Sequence, residues 1–141
     1  MQIKKIPLGE CEKIKQVFDK VLLDPFDKDI FLEKMGNKKH LILGAFDGDK
    51  IVGFKAGYER GEFYTWVGGV LEEYRRKGIA SQLANEQEKW AKEQGFKKVW
   101  FKTYNNFKPM IIFALKRGFN IVRSEYNEKR KKIVIFLDKD L

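Results

Sequence analysis

One cysteine, one histidine and three prolines are spread over 141 residues. A single cysteine excludes an internal disulfide framework and any multi-cysteine zinc site. A lone histidine, His40, leaves no His-rich metal cluster, so no metal is expected. No uninterrupted apolar run approaches the roughly 18 residues of a membrane span. The opening residues Met1-Gln2-Ile3-Lys4-Lys5 lack the apolar stretch of a secretory signal. Low-complexity segments, Pro/Ser-rich linkers and internal repeats are also missing. These absences point to a cytoplasmic, single-domain protein over residues 1–141 with no membrane partner.

Apolar residues make up 43% and aromatics 14%, with twelve Phe, which is enough for a packed core. The formal net charge is +9, and it is unevenly spread. Residues 1–61 carry 12 basic and 10 acidic side chains, whereas residues 62–141 carry 17 and 10. A positive half-molecule suits an anionic ligand, nucleic acid or an acidic surface, and is also compatible with plain solubility.

The apolar period changes along the chain. Residues 3–8 suggest a short strand. Ile14, Val17, Phe18, Val21 and Leu22 share one helical face within residues 10–23, and residues 29–35 suggest a second helix closed by Gly36-Asn37. Strands at 41–46, 51–58 and 63–71 are separated by Asp47-Gly48-Asp49-Lys50 and Arg60-Gly61, the pattern of an antiparallel meander. After residue 78 the 3.6 period returns with Ile79, Ala80, Leu83, Ala84, Gln87, Trp90 and Ala91, and Gly95 stands at the expected C-cap. A strand at 98–104, a helix from Pro109 to Gly118 and strands at about 120–126 and 132–138 complete the order β-α-α-β-β-β-α-β-α-β-β. The fold class is α/β, with a single mixed, mostly antiparallel sheet flanked by helices.

The most informative stretch is Val70-Leu71-Glu72-Glu73-Tyr74-Arg75-Arg76-Lys77-Gly78-Ile79-Ala80. A strand feeds a basic loop that opens into an amphipathic helix. The first amides of a helix have no intrahelical acceptor, and its dipole places partial positive charge there. Gly78 and Ala80 keep side chains clear of the backbone, so a phosphate can approach closely, and Arg75, Arg76 and Lys77 add charge. The alternative is a solvated turn before a helix. The loop is neither a Walker loop nor a dinucleotide-binding Gly-x-Gly-x-x-Gly.

Arg75-x-x-Gly78-x-Ala80, preceded by Val70-Leu71 and followed by a long helix, resembles the coenzyme A loop of the GNAT acyltransferases. Gly118-Phe119 closing a helix after the next strand, Thr103-Tyr104-Asn105 at the strand-helix join and Met110 match the same family, as does the element order from end to end. The resemblance implies a GNAT-like fold and an acetyl-CoA-dependent N-acetyltransferase acting on a small-molecule or peptide amine, and it leaves a homodimer open. It implies that backbone amides of Arg76, Lys77, Gly78, Ile79, Ala80 and Ser81 hold the pyrophosphate, with Arg75 at the first motif position. Backbone groups near Val70 and Leu71 would pair with the pantetheine arm and polarise the thioester carbonyl. Gly68-Gly69 would supply the bulge that splays this strand from its neighbour.

An attacking amine must lose its proton, so a base or a water chain is needed. Glu62, Tyr64 and Trp66 alternate onto one face of the strand, with Tyr64 near the position of the family's frequent catalytic acid and Glu62 one step further out. The family's tyrosine four residues before the helix-ending glycine, which protonates the leaving thiolate, is replaced by Ala114. Tyr104 is the substitute candidate. Asn105 and Asn106 flank the place of the family's usual asparagine, occupied here by Phe107, and are candidates for touching the cofactor. The plainer readings are a solvated carboxylate for Glu62, core or pocket-wall aromatics for the two tyrosines, and turn formation for the asparagines.

Cys11 and His40 read as non-catalytic. Trp100 and Phe136 read as core, whereas Trp66 and Phe63 could wall an acceptor pocket. Two other functions compete. A coenzyme A-binding sensor without catalysis fits the missing tyrosine. A nucleic-acid-binding domain fits the charge but lacks a recognition-helix motif, a zinc finger or an aromatic RNA-binding signature.

Overall fold

The computed structural model describes residues 1–22 and 24–141. Its elements are β1 (Gln2–Lys5), a 3₁₀ segment (Leu8–Ile14), α1 (Lys15–Val21), α2 (Lys28–Met35), β2 (His40–Asp47), β3 (Lys50–Arg60) and β4 (Glu62–Val70). A 3₁₀ turn (Glu72–Tyr74) then leads to α3 (Ile79–Glu93), β5 (Lys98–Tyr104), α4 (Lys108–Lys116), β6 (Asn120–Asn127) and β7 (Lys132–Asp140). One seven-stranded sheet has the order β1-β2-β3-β4-β5-β7-β6. Every pairing is antiparallel except β4 with β5, which a helical crossover through α3 makes parallel. The expected element order and mixed sheet are therefore present.

Three local expectations change. The helix expected over residues 10–23 begins as 3₁₀ turns with a non-helical Glu10 and becomes α-helical only at Lys15, while Leu23 lies outside the described residues. Cys11, which the helical pattern places on the side away from Ile14 and Phe18, is instead fully buried in the same core as they are, and burial pushes its thiol pKa up. The bulge expected at Gly68-Gly69 falls instead at Trp66: Val67 pairs with Ala56 and Thr65 with Gly57, so Trp66 has no partner in the β3 register. The glycines serve another purpose. A Cβ on Gly69 would collide with the Val21 side chain, so the bare backbone is what lets α1 close on β4.

The sheet buries aromatics on both faces. On one face Phe18 and Phe31 of α1 and α2 pack with Phe54 and Trp66, the Phe31 and Trp66 ring centroids being 4.8 Å apart. On the other, α3 lays Ile79, Leu83, Ala84, Gln87 and Ala91 against the sheet, and Phe63 meets Trp90 and Phe96 at 5.6 and 5.4 Å. Burial of each of Phe31, Phe54 and Phe63 contributes about 2 kcal/mol. Phe63 is thus core, not a pocket wall. No helix among the described residues is long and apolar enough to cross a membrane.

Candidate active site

The parallel junction between β4 and β5 is only two residue pairs long, Phe63 with Val99 and Tyr64 with Trp100. Beyond those pairs the strands part, and the bulge at Trp66 follows immediately. A slot therefore opens in the sheet between Thr65–Val70 and Phe101–Tyr104. Its apex is marked by Tyr64 and Trp100, whose ring centroids stack at 4.5 Å. The Leu71 amide donates to Val52 O at 2.9 Å, towards β3. Strand alternation then turns the backbone polar groups of Val70 and Gly68 towards the slot. Of the two residues expected to offer backbone groups here, Val70 lies with its amide and carbonyl on the slot side, the carbonyl accepting from Arg75 Nε, and the Leu71 amide is committed to β3.

The basic loop lies at the open end of β4. Gly78 is the N-cap residue of α3 at φ +79°, with no side-chain cap, and Arg76 also adopts a left-handed φ of +63°. A non-glycine residue in that region costs about 1 kcal/mol or more. Among the described residues the amides of Arg76, Lys77, Gly78, Ile79, Ala80 and Ser81 find no acceptor, and the first bond of α3 is Gln82 N to Gly78 O at 3.0 Å. A Cβ on Gly78 would meet nothing within 4 Å, so the space beside this residue is open. Unpaired donors, a positive helix end and open space fit a pyrophosphate. Arg75 turns away from this cradle: its Nε donates to Val70 O at 3.0 Å and clamps the end of β4. Arg76 and Lys77 are exposed and make no ion pair among the described residues, Lys77 lying 5.3 Å over the Tyr74 ring. Asn105 and Asn106 form the turn after β5, where the Asn105 amide donates to Ile133 O at 2.8 Å.

The expected acid–base residues are not brought together. The Glu62 carboxylate accepts the Lys97 amide at 3.1 Å and so pins the α3–β5 connection at the closed end of the slot. Tyr64 is buried at the apex, and burial, with Tyr58 adding to it, pushes its hydroxyl pKa above the ordinary value. It remains protonated at neutral pH, so it can donate a hydrogen bond but is a poor base. Tyr104 is four strand positions from Trp100, about 13 Å along β5. There it meets Phe107 and Lys132, away from the apex. Ala114 is buried in α4 and has no hydroxyl to offer.

Two features were missed by the sequence reading. Trp100 and Phe136, expected in the core, are only partly buried and line a groove of about 420 Å³ with Arg60, Lys102, Arg123 and Asp138. Strand alternation could have placed Trp100 and Lys102 on one face, but not the residues of β3, β6 and β7 beside them. The second is a charge cluster between α3, the end of α4 and β7. Glu88 accepts from Arg117 Nη2 at 3.0 Å and Lys139 Nζ at 2.7 Å, and Arg117 also donates to Asn85 at 2.9 Å. Lys55 of β3 passes over Gly68 and has no ion-pair partner among the described residues.

Desolvation lowers the Lys55 pKa from 10.5 to about 8, with Glu88 opposing the shift and Arg117 assisting it. The folded state thus releases a proton that the unfolded chain keeps between pH 8 and 10.5, so stability rises with pH across that window. At pH 7 the full penalty of charging a desolvated amine applies, at most about 3 kcal/mol. Lys55→Met is expected to raise unfolding free energy at pH 7 by about 1–3 kcal/mol and to flatten the rise towards pH 9.5 in denaturant titrations. An unchanged pH dependence would show that the amine reaches water.

The sequence pattern of the Acetyltransferase (GNAT) family matches residues 10–119. No curated protein matches the chain by sequence. A ribosomal-protein alanine N-acetyltransferase from Escherichia coli superposes with a TM-score of 0.85 at 14% identity, covering 99% of this chain and 92% of that one. An aminoglycoside 6'-N-acetyltransferase solved with coenzyme A gives 0.81 at 18% identity, over 99% and 97%. An IAA acetyltransferase from Bacillus cereus gives 0.80 at 21% identity, over 99% of each chain. The family pattern spans most of the chain, including the slot and the open amides at the start of α3, and on that ground the protein belongs to the GNAT acetyltransferase family.

Proposed function

We propose that the chain is a single N-acetyltransferase domain over residues 1–141 that moves the acetyl group of acetyl-CoA directly to a primary amine. The observation that carries this reading is the row of unpaired amides from Arg76 to Ser81 at the mouth of the split between β4 and β5. Among the structurally similar proteins, two are named as N-acetyltransferases, and one of these was solved with coenzyme A.

Acetyl-CoA supplies an activated thioester: the amine nitrogen bonds to the acetyl carbon, the carbon–sulfur bond breaks, and the amine proton is lost as the thiolate gains one. The loop amides of residues 76–81 bind the pyrophosphate, with Arg76 and Lys77 adding charge. The Val70 amide and the Gly68 backbone groups face the pantetheine arm, and Arg75, bonded to the Val70 carbonyl, holds the strand end that presents them. The bulge at Trp66 takes that residue out of the β3 ladder beside the apex, where a backbone amide can meet the carbonyl on which negative charge grows. Tyr64 walls the apex as a hydroxyl donor. With Glu62 engaged elsewhere and Ala114 lacking a hydroxyl, protons leave and arrive through solvent. Those same two features favour a second reading, a coenzyme A-binding domain without turnover.

Calorimetry with acetyl-CoA, followed by thiol release with a panel of amines, tests the assignment. Micromolar binding with turnover of at least one amine is expected. Binding without turnover on any amine selects the second reading, and no binding overturns both.

A further inference from the structure

The groove beside the apex has a charge character that the transfer reaction alone does not require. It lies on the face of the sheet opposite α3, because Trp100 and Lys102 alternate with Phe101, which packs with Phe119 on the other side. Its volume of about 420 Å³ lies in the range of small-molecule sites. Three cations reach it. The Arg60 guanidinium lies 5.1 and 5.5 Å over the Tyr64 and Trp100 rings, where it has no carboxylate partner among the described residues. Lys102 is exposed and makes no ion pair among them either. Arg123 stacks 3.7 Å over Phe136 and spends one Nη1 bond, at 2.7 Å, on Glu125. The single acid lining the groove, Asp138, lies 3.9 Å from Lys98 Nζ.

A polyamine or aminoglycoside would meet like charge on three sides here. A carboxylate or phosphate would find two cations without a carboxylate partner among the described residues and a third with donors to spare. The cationic surroundings do a second thing. They disfavour the protonated form of an incoming amine, raising the share of the neutral nucleophile at a site whose apex offers no carboxylate base. From Trp100 at the apex to Lys102 is two strand positions, about 7 Å. That span suits a short molecule with an amine at one end and an anion at the other.

Resting on the acetyltransferase reading above, we infer that the acceptor is a small primary amine carrying a carboxylate or phosphate, held by Arg60, Lys102 and Arg123 with its amine at the Tyr64–Trp100 apex.

The test uses three acceptors of equal length, 4-aminobutyrate, 4-amino-1-butanol and 1,4-diaminobutane, with 2-aminoethyl phosphate and ethanolamine as a second pair. Thiol release should rank anionic above neutral above dicationic, with kcat/KM for the anionic member about tenfold above its neutral partner, and the gap should shrink as salt rises. Arg60→Gln with Lys102→Gln should erase the preference through KM, and Lys102→Glu should invert it towards 1,4-diaminobutane. Retained acetyl-CoA binding shows that each variant is folded. A neutral or dicationic acceptor ranking first, or a ranking unmoved by Lys102→Glu, overturns the inference while leaving acetyl transfer standing. A peptide with an acidic N-terminal segment that outperforms every small probe moves the anion onto a polypeptide and overturns the small-molecule assignment. Absence of acetyl-CoA binding in the unmodified protein removes the underlying reading and this one with it.

Discussion

Gly78→Glu is expected to weaken acetyl-CoA binding by about two orders of magnitude, roughly 3 kcal/mol, while the protein stays folded. A Cβ at residue 78 meets nothing within 4 Å, so the substitution costs only the strain of an L-residue at φ +79°, about 1 kcal/mol. The new carboxylate then stands near the unpaired amides that open α3, where it is a counter-charge to the helix dipole. Those are the donors offered to a phosphate, so the variant fills the cradle with its own anion. Gly78→Ala brings the same strain without the charge and should lose only a few-fold. Calorimetric titration of both separates the causes. Equal losses would assign the effect to backbone strain, and an unaltered affinity in Gly78→Glu would detach the loop from the cofactor.

The second large effect is on stability. Among the described residues Glu88 is the one carboxylate holding both Arg117 and Lys139, and its side chain is only 15% exposed. Removing one partner from a largely buried ion pair leaves the others charged and without compensation, at a cost of about 3–5 kcal/mol. Glu88→Ala should therefore lower Tm by on the order of 10 °C. It also takes away the charge that supports protonation of Lys55. Lys55→Met should therefore stabilise the Glu88→Ala protein by more than it stabilises the unmodified one, because one of the mutually repelling cations is gone. Purely additive effects in denaturant titrations would show that Lys55 and Glu88 do not share a field.

The parts of the fold and site visible in the sequence are those built from neighbours in the chain. Ile79, Leu83, Ala84, Gln87 and Ala91 follow the helical period and are the buried face of α3, and Gly78 before them could be read as the cap of an anion-receptive helix end. What could not be read depends on partners far along the chain. Trp100 looks like a core residue because strands apolar on both faces give no sign of which face lacks a helix above it. The Lys55–Glu88–Arg117–Lys139 cluster joins β3, α3, the end of α4 and β7, and no local spacing announces it. Glu62 shows the opposite error. Its place on the strand suggested chemistry, whereas its carboxylate has a backbone amide to satisfy. Gly68-Gly69 suggests a bulge because glycine permits one, but the demand on Gly69 comes from Val21 packing against the sheet.

The junction of only two residue pairs between β4 and β5 also bears on how the chain reaches this state. The meander β2–β3–β4 and the hairpin β6–β7 are made of short-range contacts, and closing them costs little loop entropy. Joining the two halves of the sheet requires α3 to be in place and rewards the chain with few backbone bonds. The slot is therefore closed by few backbone bonds, so a ligand that bridges β4 and β5 adds bonds across the split and raises the equilibrium stability of the bound protein.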